Sequence, residues 1–86
     1  MIGTNFPISE YYRDHILDAR TISRGGNWWT AVLLISDPKT NKPFLAIYKW
    51  QHTETGWKTR QRFIFRKKQD VTSVFEPVTI FSEQLE

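Results

Sequence analysis

Eighty-six residues without a cysteine describe one small domain, residues 1–86, and exclude disulfides, thiolate metal sites and thiol redox chemistry. No apolar run approaches the roughly 18 residues of a membrane span, and MIGTNFPISE lacks the basic-then-apolar order of a signal peptide, so a soluble, cytoplasmic protein is expected. The formal net charge of +3 is mild, and a core this small is marginal, so pairing into a homodimer is the expected reinforcement.

In chain order, Phe6 to Leu17 reads as a short helix, with Ile8, Tyr11 or Tyr12, His15 and Ile16 at helical spacing and Pro7 in its first turn. Ala19 to Arg24 is a short candidate strand. Gly25-Gly26 signals a hairpin turn, because glycine takes the positive φ that a tight turn needs. Trp28 to Ser36 is almost entirely strand-forming. Of the adjacent Trp28 and Trp29 one must point to each side of that strand, and alternation leaves open which faces the core. Asp37 to Pro43 is a loop, and Phe44 to Thr53 and Trp57 to Arg66 are two further strands. From Asp70 to Leu85, Val71, Val74, Phe75, Val78 and Phe81 recur at helical spacing behind Asp70 as N-cap, although Pro77 and the β-branched residues favour an extended segment as the alternative. The fold class is α+β: an antiparallel sheet of three to four strands, a short N-terminal helix, and a C-terminal helix packed on one face.

Glu54-Thr55-Gly56 fits a three-residue hairpin loop, a type I turn followed by a left-handed glycine. That register sets Thr53 opposite Trp57, Trp50 opposite Arg60 and Tyr48 opposite Arg62. It predicts a core face with Leu45, Ile47, Phe63 and Phe65, and an open face with Tyr48, Trp50, Lys58, Arg60 and Arg62.

Catalysis is not expected. His15 and His52 are the chain's histidines, with no zinc-binding spacing, and the nine carboxylates form no tight acidic pair. Asp14 and Asp18 sit beside Arg13 and Arg20 as solvated partners, and Gly25-Gly26 is too short to cradle a phosphate. No metal, cofactor or small-molecule substrate is implied. Charge, in contrast, is concentrated. Six of the twelve basic residues, Lys58, Arg60, Arg62, Arg66, Lys67 and Lys68, fall between positions 58 and 68 with no acidic neighbour, whereas residues 1–18 hold one basic and three acidic side chains. Cations beside aromatic rings on an open sheet suit a single-stranded nucleic acid, which needs charge for its phosphates and flat faces for its bases. The candidate binding residues are Tyr48, Trp50, Lys58, Arg60, Arg62, Arg66 and Lys67, with one of Trp28 and Trp29 extending the stacking surface. A solvated edge strand, a hairpin cation–π pair and an interface with a protein partner are the competing readings.

The order of hairpin strands followed by one helix, with the run LAIYKW…GWKTRQRFIFRKKQD, resembles the single-stranded-DNA-binding folds of the Whirly, Pur and positive-cofactor-four coactivator proteins over roughly Ala19 to Leu85. The resemblance implies a curved four-stranded sheet that binds unpaired strands and helices that mediate dimerisation. Without the first strand the order is similar to a double-stranded RNA-binding domain, or to the three-stranded arm-binding domain of phage-type integrases, which reads duplex DNA.

Overall fold

The computed structural model describes residues 6–86. Four strands, β1 (Ile16–Gly25), β2 (Trp28–Ser36), β3 (Pro43–Thr53) and β4 (Gly56–Phe65), are preceded by a single helical turn, α1 (Glu10–Arg13), and followed by α2 (Lys68–Ser82). They form one antiparallel sheet in the order β1-β2-β3-β4. Chain order is sheet order because each connection is a short turn, which leaves β1 and β4 as edges. The expected α+β class, antiparallel sheet and terminal helices are all present.

Boundaries depart from expectation where pairing overrides local pattern. The helix expected from Phe6 to Leu17 is confined to one turn, since Ile16 already pairs with Ile35 and starts β1. Ladder hydrogen bonds along Ile16–Gly25 outweigh a short helix that could bury little. The first hairpin turns at Gly26-Asn27, one residue later than expected, with Gly25 paired to Trp28 and Gly26 at φ 56°. The helix α2 runs through Pro77. None of its residues is buried, so water can satisfy the carbonyl that the missing proline N–H leaves free.

The side of the sheet that forms the core is the reverse of the one expected. Trp29, Ala31, Leu33 and Ile35 of β2 lie opposite Trp50, Tyr48, Ala46 and Phe44 of β3, and all eight are buried. Large rings fill the space left by Ala31 and Ala46. The N-terminal segment closes this layer, with Phe6 5.2 Å from the Trp29 ring and 6.1 Å from that of Trp50, and Tyr12 5.7 Å from Phe44. Tyr48 and Trp50, expected on the open face, are therefore 4% and 0% exposed. Leu45, Ile47 and Phe63, expected inside, lie on the opposite and less covered side, where Phe63 is 51% exposed. Phe65 shares that side yet is buried, with Phe63 at 4.7 Å and Phe75 of α2 at 6.0 Å.

The register explains part of the inversion. Between Leu45 and Lys49 it is as expected, with Tyr48 opposite Arg62 and Ile47 opposite Phe63. Beyond that point Trp50 pairs with Thr59 and Thr53 with Gly56, so the loop has two residues and the extra residue of the strand is Arg60 rather than Gly56. Gly56 still takes a positive φ, at 114°.

Candidate functional site

The side of the sheet away from the Trp29–Trp50 core reads as a grid, because cross-strand partners share a face and alternate residues lie about 7 Å apart along a strand. One row is Gly25, Trp28, Gln51 and Lys58, and the next is Ser23, Thr30, Lys49 and Gln61. Beyond them come Arg20, Val32, Ile47 and Phe63, and then Asp18, Leu34, Leu45 and Phe65. The face thus has a polar, basic half at the β1–β2 and β3–β4 turns and an apolar half towards α2.

The polar half is organised around Trp28, which is 42% exposed while Trp29 is 2% exposed. Trp29 is held inside by its indole N–H, which donates to Thr21 Oγ1 at 3.0 Å, and by Arg24, whose guanidinium lies 3.9 Å from its ring centre. Trp28 carries a cation of its own: Lys49 Nζ lies 5.0 Å above its ring. Beside them Arg60 Nε donates to Gln51 Oε1 at 2.9 Å. The bulge thus brings Arg60 to the side that Gln51 occupies, in the row of Trp28 and Lys58. The half holds three cations, four side-chain amides or hydroxyls (Gln51, Gln61, Ser23, Thr30) and one open indole. None of its residues is acidic.

The remaining expected site residues are divided. Tyr48 and Trp50 stack on each other at 5.1 Å inside the core and offer no face to a ligand. Arg62 is exposed but lies opposite Tyr48, on the other side of the sheet from Lys58. Arg66 is engaged, 3.5 Å from Asp37 Oδ2 and 4.9 Å from the Phe44 ring centre. Asp37 is held below the ordinary carboxylate value, first by the Lys39 backbone N–H on its Oδ1 at 2.9 Å, then by the Thr40 amide and the Arg66 charge. Lys67 is exposed at the start of α2, about 20 Å along the sheet from the Trp28 row. The structure therefore joins Trp28, Lys58 and Arg60, removes Tyr48, Trp50 and Trp29, and sets Arg62, Arg66 and Lys67 apart.

The sequence reading passed over Lys49, Gln51 and Gln61 of this face and placed Phe63 inside. Their signal was in β3, where Phe44, Ala46, Tyr48 and Trp50 are uniformly apolar while Leu45 and Ile47 are followed by Lys49 and Gln51. A strand face that stays apolar along its whole length is the better core candidate.

Among the described residues no three His, Asp or Glu side chains gather as a metal site, and no helix is long and apolar enough to cross a membrane. Comparisons with protein-family models, with curated proteins and with solved structures find no match to this chain.

Proposed function

We propose that the protein binds single-stranded nucleic acid, without catalysis, on the polar half of its open sheet face. The observation that carries this reading is the joint placement of an exposed indole, Trp28, with Lys49, Lys58 and Arg60. The ion pair found among the described residues uses Arg66, so none of these three cations has a carboxylate partner there. A base stacks on Trp28, Lys49 moves from the ring to a phosphate, and Lys58 and Arg60 follow the backbone. Gln51 and Gln61 offer donors and acceptors to base edges. Such contacts are sequence-tolerant, since every base has a flat face and every nucleotide a charge. An open antiparallel sheet holding unpaired strands is also what the resemblance to Whirly, Pur and coactivator-type proteins implies.

Titration of tryptophan fluorescence with an unstructured oligonucleotide, at two salt concentrations, tests the reading. Quenching that weakens steeply with salt is expected, with tighter binding than to a duplex of the same length. Replacing Lys49, Lys58 and Arg60 together by alanine is expected to lower the slope of log affinity against log salt by about 2, from roughly 0.7 per phosphate contact on a single strand. No response at low salt would contradict it.

A further inference from the structure

Beyond Phe65, on which Phe75 of α2 rests, the apolar half of the open face has little cover among the described residues. An open groove of about 480 Å³ runs over it, lined by Ile22, Val32, Leu34 and Leu45 with Asp18 and Arg20 at its edge. A second groove shares Leu34 and Leu45 and continues to Phe65 and Val71 at the start of α2. The unfilled surface of the sheet and the apolar stripe of the helix are therefore continuous.

The helix is only partly covered. It meets the sheet where Phe75 touches Phe65, yet none of its fifteen residues is buried, and Phe75, Val78 and Phe81 are 44%, 49% and 68% exposed. A helix of this length with an internal proline is marginal in water unless one side is packed. The molecule is also more extended than a closed domain. Its radius of gyration is 14.2 Å, against about 12 Å for a compact chain of this length.

We infer that the occupant of the groove is α2 of a second copy of this chain, each helix lying in the other's groove. Both halves of the contact, an apolar helix stripe and an apolar groove, are exposed on the same chain, so one two-fold pairing covers both in both copies. Ile22, Phe63, Phe75, Val78 and Phe81 are each 44–68% exposed; at roughly 150–250 Å² for an aromatic side chain they leave on the order of 500 Å² of apolar surface open. That matches the largest patch on a typical monomer and is a substantial part of the roughly 800 Å² that each partner buries in a standard interface. The pairing leaves the Trp28 end of the face open, so it stands independently of the nucleic-acid reading.

Sedimentation of the full chain over a range of concentrations tests the inference without any ligand. The parent is expected to reach twice its own mass. Ile22→Asp in the groove and Val78→Asp on the helix are each expected to weaken association at least tenfold while the circular dichroism stays that of the parent, since both side chains are about half exposed. Because the chain has no cysteine, an equimolar mixture of Ile22→Cys and Val78→Cys chains is expected to give mixed disulfide pairs on oxidation. A parent that stays monomeric at every concentration overturns the inference. Mixed pairs that fail to form, with a bridge appearing only within single chains that carry both cysteines, overturn it as well and place the helix over its own groove.

Discussion

Trp28 and Trp50 lie on neighbouring strands and on opposite sides of the sheet, and that difference decides what each can do. Trp50 is 0% exposed, against Trp29, Tyr48 and Phe6, so Trp50→Ala removes a ring from a filled layer. A loss of about 3–5 kcal/mol is expected in denaturant unfolding, enough to unfold much of a domain of ordinary stability. Trp28→Ala, in contrast, is expected to leave the unfolding midpoint nearly unchanged and to weaken oligonucleotide binding by about 1–3 kcal/mol, as read by titration of a labelled strand. Asp37 supplies a pH prediction. Its folded-state value lies below the ordinary 3.8, so its contribution to stability is complete above that value and is lost as pH falls through the folded value. Urea unfolding of the parent and of Asp37→Asn is therefore expected to differ near neutral pH and to converge in acid. A constant gap would show that the Lys39, Thr40 and Arg66 contacts do not bear on folding.

At the scale of elements, β2 and β3 were legible from their long apolar and β-branched runs, β4 from its place after the turn at Gly56, and α2 from its 3.6-residue pattern, against which Pro77 and the β-branched residues kept an extended segment open. The helix at Phe6 to Leu17 was misread because its apolar spacing suits both a helix and an N-terminal segment folded over a sheet. Phe6, Ile8 and Tyr12 serve the second purpose. The β3–β4 hairpin was half legible. Glycine at position 56 announced a left-handed residue, but the place of the bulge is set by pairing further along, at Arg60, which local turn chemistry does not encode. The space around Gly56 is open, with nothing within 4 Å of an added Cβ, so Gly56→Ala isolates the backbone effect of φ 114°. A cost of about 1–3 kcal/mol is expected, read as a fall in thermal midpoint of roughly 4–8 °C per kcal/mol for a domain of this size.

At the scale of the whole molecule, the division of labour between two faces matters more than any single contact. One face is closed by the N-terminal segment, and the other changes from basic and polar at the turns to apolar beside α2. The basic concentration between Lys58 and Lys68 was visible in the sequence, and so was its proximity to aromatic residues. Which aromatic residues share its face was not, because β4 is an edge strand with a mixed core side: Trp57 and Ile64 pack against the core while Thr59 and Arg62 between them remain exposed, so its pattern gives no clear vote on where the core lies. The nucleic-acid reading thus keeps Trp28, Lys58 and Arg60, loses Tyr48 and Trp50, and gains Lys49. Its most direct test is a ¹H–¹⁵N spectrum recorded while an unstructured oligonucleotide is added. The indole N–H of Trp28 and the amides of Lys49, Gln51, Lys58 and Gln61 are expected to shift together, with the Trp50 indole unmoved. Shifts centred on Trp50 and Tyr48, or none at saturating oligonucleotide, would contradict the account.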